Sequence, residues 1–459
     1  MKILHLSIIA LLISGCASTS KQPVNSTPIL VSPEQKLEKQ ADLFTKDTVA
    51  LTQLAQMQLK QYEQYKSAYY LDRAITTYQE LITRQADNDD IAMQYYRLNL
   101  FKGLAENNYD ITHWQHFYNK YPFLKNIDLA PPEYMEILLA DRDSLSKNDR
   151  IKILKKTLAA NPNFVNAYLE LTAHYAQRDK NDMALFLLET ANKYSSENVD
   201  ILAPLNDLRI EKVFDGLCRA DMGDRLNILF DDAKLLAKGT PEDAYAHMQL
   251  STVLRLMGRN RMSSFSAKKA ASLSSEYQEA LAEAQFWNAN NNALNQYFSD
   301  QTVADMSTDD LYLNIFFNVV NLNWQKVTEL LTAYLQRSDI SFYGVLYGSH
   351  AYKMLGDNEK AQHALTVGIA KITLEPWQKQ MLSYANQEIS SEQLFAASQD
   401  RCNQSEAYFI QGLQQLQAGQ SDNVKKTMKE ILALNVYPFY EYAGAKGMLK
   451  ALKTSKPES

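Results

Sequence analysis

The chain of 459 residues carries 47 Lys and Arg against 53 Asp and Glu, a formal net charge of −6, and 46% of its residues are hydrophobic. An acidic balance without basic stripes argues against a general nucleic-acid binder. Its 14 glycines and 12 prolines fall below the usual shares of about 7% and 5%, which disfavours a fold of many short strands and tight turns. The composition therefore indicates a helical protein with enough apolar residues for a large core.

The first residues have the pattern of a targeting segment. Lys2 gives the positive end, residues 3–13 form an apolar run, and Ile13-Ser14-Gly15-Cys16 closes it. The last four residues resemble the lipobox of a bacterial lipoprotein signal. The run is too short to span a bilayer, for which about 20 residues are needed. The resemblance implies that residues 1–15 are removed and that Cys16 receives a diacylglycerol and an N-acyl chain such as palmitate. An ordinary secretory signal with an accidental cysteine is the alternative.

Ala17 follows this cysteine. In lipoproteins of diderm bacteria an aspartate at this place commonly retains the protein in the inner membrane. The resemblance therefore implies the outer membrane, facing the periplasm, where several acyl chains anchor a protein far more firmly than one. Residues 16–31, rich in Ser, Thr and Asn, predict a lipidated flexible tether.

Residues 32–160 predict divergent helical repeats. Ser32-Pro33-Glu34-Gln35 is a capping box with proline at the first helical position, and it predicts a helix that ends near Tyr65. Residues 69–84 predict the partner of this helix, and residues 90–105 and 112–120 predict a less regular pair.

The clearest pattern lies in Val165–Asn198, which predicts two amphipathic helices around a polar break at residues 177–181. Apolar residues recur there at three- and four-residue steps, as on one face of a helix. Small residues, Thr172 and Ala184, fall where the two helix axes would cross, and bulk there would prevent close packing.

The same register returns in Ala244–Tyr277, Phe342–Glu375 and Ser405–Pro438. The eighth position of all four units is small: Thr172, Ser251, Ser349 and Gly412. This spacing resembles the tetratricopeptide repeat (TPR), a helical hairpin of 34 residues. It predicts an all-α, TPR-like solenoid over residues 161–454, wound as a right-handed superhelix and closed by a C-terminal capping helix, with residues 455–459 as a frayed tail.

The closing stretch, residues 407–452, looks like the final repeat and capping helix of outer-membrane TPR lipoproteins that act as adaptors for peptidoglycan hydrolases. The shared features are Tyr408, Gly412, Gly419, Asn435-Val436 and Phe439-Tyr440. The likeness covers about a tenth of the chain. It favours a cell-wall role, although a fold by itself does not fix a function.

In a TPR, certain positions of the first helix line the concave groove. Carried over to two units, they imply a partner-binding groove built by Tyr245, Met248, Arg255, Tyr343, Leu346, His350 and Lys353. Aromatic, cationic and adaptable side chains of this kind suit an extended peptide or an acidic segment. The alternative is a solvated groove wall without a binding role.

Candidate chemistry is sparse. Asp110, His113 and His116 could share a helix face, but a metal site needs three or four converging ligands, and their aromatic neighbours favour a packed face. No metalloprotease, phosphate-loop or serine-hydrolase motif occurs. A lytic transglycosylase would need a Glu-Ser signature, whereas Glu197 and Glu406 each follow a serine. We therefore predict no catalytic residue, no metal and no cofactor beyond the lipid.

Cys218 and Cys402 would meet an oxidising compartment, which favours a bridge. They lie about five repeats apart, however, and stacked helices advance about 8–10 Å each. A disulfide needs Cα atoms within about 7 Å. If the helices stack in a straight line, the two cysteines are therefore too far apart for a bridge, which predicts two buried thiols or intermolecular pairing.

Together these features predict a non-enzymatic adaptor, anchored at the outer membrane and facing the periplasm, that recruits cell-envelope proteins. Peptidoglycan-remodelling enzymes are the first partner class. An assembly factor for a pilus, a secretion system or an exopolysaccharide-export complex is the alternative.

Overall fold

The computed structural model describes residues 48–85, 88–105, 131, 133–134, 137, 145–220 and 222–454. In these ranges the chain forms 21 α-helices and no β-strand. None of those helices is both long enough and apolar enough to cross a membrane. In chain order they are α1 Thr48–Tyr65, α2 Ala68–Arg84, α3 Asp89–Ala105, α4 Lys147–Ala160, α5 Val165–Ala176, α6 Asn181–Tyr194, α7 Val199–Leu217, α8 Gly223–Gly239, α9 Ala244–Leu256, α10 Asn260–Leu273, α11 Gln278–Trp287, α12 Asn291–Ser299, α13 Thr308–Val320, α14 Trp324–Tyr334, α15 Phe342–Met354, α16 Asn358–Ile369, α17 Pro376–Ala385, α18 Ser391–Ala397, α19 Arg401–Gln417, α20 Ser421–Ala433 and α21 Tyr440–Thr454.

Short polar side chains hold the first turns of several helices. Each accepts a hydrogen bond from a backbone N–H two or three residues further on, which satisfies a donor that the helix itself leaves unpaired. The residues that do so include Asn198, Asp243, Ser307, Ser341 and Asp400. The helices therefore begin where the sequence supplies a cap.

The four predicted units are helical hairpins with equivalent turns. The fifteenth residue of each unit has a positive φ: 55° at Asp179, 71° at Gly258, 81° at Gly356 and 71° at Gly419. Glycine adopts this left-handed conformation without steric cost, and Asp is among the few other residues that tolerate it. Equivalent turns in four places mean that the units share one register.

Small residues lie at the predicted helix crossings. Ser251 and Ser349 are each only 1% exposed, and the Ser251 hydroxyl donates to the Ser263 carbonyl oxygen at 2.9 Å. At Gly412 an added Cβ would lie 2.2 Å from Met428 Cε. Close packing at these points confirms the fold class, an all-α, TPR-like helical-hairpin solenoid.

The last helix, α21, packs against the first helices of earlier hairpins. An added Cβ at Gly444 would lie 2.9 Å from ring atoms of both Phe316 in α13 and Phe409 in α19. The rings of Phe316 and Phe409 stack with centroids 5.1 Å apart. The chain thus covers part of its own inner surface with its C-terminal helix.

The C-terminal hairpin also returns to the middle of the chain. The Arg401 guanidinium donates to the Leu217 carbonyl oxygen at 2.6 Å, and the Trp287 indole donates to the Tyr437 carbonyl oxygen at 3.0 Å. Cys218 and Cys402 form a disulfide with their Cα atoms 5.2 Å apart. The prediction of two unbridged thiols is wrong, because it assumed a straight stack and the array curves back on itself.

The first helices are also placed by contacts distant in sequence. The hairpin of α1 and α2 lies against α7, α8 and α9, where Tyr65 and Tyr70 share a core cluster with Val199 and Leu236. Helices α2 and α3 match the ranges predicted for this region to within one residue. The predictions for residues 1–47, 112–120 and 455–459 lie outside the described residues.

Candidate functional site

The predicted groove residues lie on the inner helices α9 and α15, but most have partners within the chain. The Tyr245 hydroxyl donates to the Asp207 carboxylate, to which the Gln249 amide donates at 2.6 Å. Burial raises the pKa of Asp207 to about 6. Tyr245 therefore belongs to a polar network that joins α9 to α7.

Arg255 links three parts of the chain. Its guanidinium pairs with the Glu283 carboxylate at 2.9 Å and lies over the Trp287 ring, 4.8 Å from its centroid. Glu283 also accepts a hydrogen bond at 2.8 Å from the hydroxyl of Tyr440, the first residue of α21. This cation holds α11 and the C-terminal helix in place. Met248, another predicted groove residue on α9, is half-buried.

Two of the predicted groove residues are core residues. Leu346 is 2% exposed and His350 is 3% exposed. The His350 Nε2 atom lies 2.9 Å from the Leu413 carbonyl oxygen in α19, and burial lowers the pKa of His350 to about 4. The prediction that these two side chains line an open groove is wrong, because α19 packs over them.

Tyr343 and Lys353 also bridge hairpins. The Tyr343 hydroxyl donates to the Glu406 carboxylate at 3.0 Å, and Lys353 Nζ donates to the Ala385 carbonyl oxygen at 2.8 Å. Burial lowers the pKa of Lys353. A partner that engaged either side chain would have to replace these internal contacts. A binding role for the half-buried residues Tyr245, Met248, Arg255, Tyr343 and Lys353 stays a prediction.

Sequence reasoning missed a pair of buried acids, one in α19 and one in the first turn of α21. Glu406 is 2% exposed and Glu441 is 4% exposed. Glu406 accepts a hydrogen bond from the Trp377 indole at 2.6 Å, and Glu441 accepts one from the Tyr347 hydroxyl at 2.8 Å. Burial, with the nearby Glu441 charge, raises the pKa of Glu406 to about 8, and burial also raises that of Glu441.

The register did contain a signal for one of these acids. Glu406 is the second residue of its unit, a position that the TPR resemblance assigns to the concave surface. The sequence gives no sign that it is buried. Glu406 accepts hydrogen bonds from Trp377 and Tyr343, so its carboxyl joins α19 to α17 and α15.

One possible metal group occurs among the residues that the structure describes: Cys218, Asp400 and Cys402. Both sulfurs are joined in the disulfide, so they do not offer thiolate ligands. Asp400 caps α19, where its Oδ1 atom accepts hydrogen bonds from two backbone N–H groups at 3.0 Å each. The histidine group at Asp110, His113 and His116 lies outside the described residues.

Comparisons with known proteins add little to this geometry. No family model matches the sequence, and no curated protein matches it. Among solved structures, the chain is similar to the TPR domain of P58(IPK), with 11% identity over 93% of this chain and 94% of that one and a TM-score of 0.30. A tetratricopeptide repeat protein from Parabacteroides merdae ATCC 43184 is 13% identical over 70% of this chain and 100% of its own, at a TM-score of 0.30. A structure of Naa15/Naa10 bound to HypK-THB shows 12% identity over 93% of this chain and 68% of that one, at a TM-score of 0.26.

The class of the protein therefore rests on the repeat geometry of the chain itself. Four hairpins share one turn conformation and one pattern of small buried residues. The chain is a TPR-like helical-hairpin solenoid. Solenoids of this kind expose extended surfaces that bind other proteins.

Proposed function

We propose that this chain is exported, lipidated at Cys16 and held at the outer membrane facing the periplasm, where it is a non-enzymatic scaffold for cell-envelope proteins. The observation that carries the proposal is the Cys218–Cys402 disulfide. Disulfides persist in oxidising compartments such as the bacterial periplasm and are rare in the cytosol. This bridge agrees with the lipoprotein signal read at residues 1–16, an independent part of the chain.

Peptidoglycan-remodelling enzymes are the partner class that we propose first. The support is the resemblance of residues 407–452 to the closing segment of TPR adaptors for peptidoglycan hydrolases. Helix α21 of that segment lies against inner helices, as a capping helix would. A partner on the concave side would then meet the half-buried residues of α9, among which Met248 has no assigned role in the fold.

Affinity purification of the lipidated protein from crosslinked cells tests this proposal. We expect the wild type to recover peptidoglycan-remodelling enzymes. Met248→Glu should lower the yield several-fold, because it places a charge in a half-buried contact surface. The matched control is Leu355→Glu, which changes an apolar side chain that is 48% exposed at the turn between α15 and α16.

Recovery of pilus, secretion or export components instead would favour the alternative partner class. Equal yields from wild type and Met248→Glu, with melting curves that show both folded, would exclude the α9 surface as the contact. Recovery of no envelope protein by either chain would contradict the scaffold function.

A further inference from the structure

The second helices of three successive hairpins, α6, α8 and α10, each carry a large apolar side chain at the same exposed position. Phe186 in α6 is 62% exposed, Ile228 in α8 is 55% exposed and Phe265 in α10 is 77% exposed. The two phenylalanines are each the twenty-second residue of their unit. The buried residues Ala191 and Ala270 follow the two phenylalanines by five residues. The buried Ala233 follows Ile228 by the same spacing, so Ile228 takes the equivalent position in its hairpin. We call this set the outer apolar stripe.

The stripe is not a general feature of the repeat. In the two later units the twenty-second residues are His363 and Lys426, both exposed and polar. Met183 and Met262, 45% and 51% exposed, add to the stripe one helical turn before each phenylalanine. Exposed apolar groups that cluster in this way mark a surface that meets another apolar phase.

The three helices follow one another along one side of the array. Arg209 in α7 lies 3.6 Å from Glu189 in α6 and 2.6 Å from Asp232 in α8. The Arg259 guanidinium, just before α10, lies 4.9 Å from the centroid of the Phe230 ring in α8. These contacts link the three helices that carry the outer apolar stripe, α6 to α8 through Arg209 and α8 to the start of α10 through Arg259.

Charge on the exposed faces of α6 and α8 is mixed, since Asp182 and Glu189 stand near Phe186 and Asp224 and Asp231 near Ile228, whereas the exposed face of α10 is positive. The exposed face of α10 carries cations and no acid: Arg261, Lys268 and Lys269 stand beside Met262 and Phe265. None of these three cations takes part in an ion pair with another described residue, whereas Asp182 on α6 is paired with Lys212 at 2.8 Å. The face thus combines free cations with aromatic and thioether groups.

We propose that the outer apolar stripe lies on an anionic lipid surface, with Phe186, Ile228 and Phe265 among the headgroups and the cations of α10 on lipid phosphates. Amphipathic surfaces with basic and aromatic residues bind bilayer interfaces in this way. Contact between the α10 faces of two copies would bring like charges together. The proposal rests on the proposed function, which puts the protein beside a membrane. The chain between Cys16 and Thr48 is long enough to allow the contact, since each residue spans up to about 3.3–3.6 Å.

The test uses the processed chain from residue 16 with Cys16→Ser, which has neither lipid nor the apolar run of residues 3–13. We expect it to float with phosphatidylcholine vesicles that contain phosphatidylglycerol, and to bind pure phosphatidylcholine vesicles weakly. Changing Phe186, Ile228 and Phe265 together to Ser should weaken binding more than about tenfold. Lys268→Ser should weaken it about fivefold, and added salt should do the same.

Leu355→Ser is the matched control, because Leu355 is 48% exposed but lies outside the stripe. It should bind vesicles as the wild type does. Absence of binding to anionic vesicles, or equal binding by the triple variant, would overturn the proposal. Self-association that the triple variant abolishes, or capture of a protein through the stripe without vesicle binding, would also overturn it. Since this chain is unlipidated, failure here leaves the proposed lipidation at Cys16 untouched.

Discussion

Thermal unfolding of the wild-type chain is expected to become easier as pH rises from 6.5 to 8.5, and Glu406→Gln is expected to remove most of that change. Burial, with Glu441 nearby, raises the pKa of Glu406 to about 8, whereas the pKa of a glutamate in the unfolded chain is about 4.3. Between these values the folded state holds a proton that the unfolded state has lost. Stability is therefore complete at low pH and is lost as pH rises through the folded pKa.

Between pH 6.5 and 8.5 the expected loss of stability is about 2 kcal/mol, because the free energy of unfolding falls by about 1.4 kcal/mol per pH unit up to the folded pKa of about 8 and levels off above it. The titration of His350 affects stability mainly below this pH range. Burial lowers the pKa of His350 to about 4, so the neutral imidazole already contributes nearly its full stabilisation above about pH 6.5. Burial also raises the pKa of Glu279 to about 7. The stability of Glu406→Gln should therefore still fall with rising pH, but less steeply than that of the wild type.

Gln at position 406 imitates the protonated acid and still accepts hydrogen bonds from Trp377 and Tyr343. The melting temperature of each chain, measured across the window, checks the expectation. Glu359→Gln, at an exposed site in α16, should keep the wild-type slope. An unchanged slope in Glu406→Gln would mean that this carboxyl is charged in the folded protein and that its surroundings are wetter than described.

Removal of the Cys218–Cys402 disulfide is expected to destabilise the folded chain by about 2–5 kcal/mol. The bridge joins residues 184 apart in sequence, so it restricts the unfolded chain over a long loop. Cys402 is 1% exposed and its partner 8%. Changing both to Ala avoids an unpaired thiol and leaves the Arg401 hydrogen bonds to Leu217 and Ala220 in place.

The denaturant midpoint, with and without reductant, checks this expectation. Reductant should lower the midpoint of the wild type toward that of the double variant and leave the double variant unchanged. Equal midpoints for oxidised wild type and double variant would show that the bridge does not constrain the array.

Local pattern predicted the hairpins well because their determinants are local. The small residues Thr172, Ser251, Ser349 and Gly412 recur at the eighth position of four units, and the structure buries them in the hairpins. The curvature of the array has no such signature. It arises from small offsets summed over many packed helices, so the approach of Cys402 to Cys218 could not be read from spacing.

The groove residues show the same limit. The register assigned Arg255 and His350 to the groove-facing positions of their helices, but it could not show that α11, α19 and α21 would occupy the space beside them. Arg255 pairs with Glu283 and His350 is buried. Positions within a unit follow from sequence, whereas access to them depends on how the chain closes.

The central claim, an exported scaffold anchored by lipid, is tested most directly by metabolic labelling with palmitate. Wild-type protein should incorporate the label and fractionate with the outer membrane. Cys16→Ser should lose both the label and that fractionation, and remain as an uncleaved or soluble periplasmic form, because the thiol that accepts the diacylglycerol is gone. A Cys16→Ser chain that still accepts palmitate and stays with the outer membrane would contradict the account.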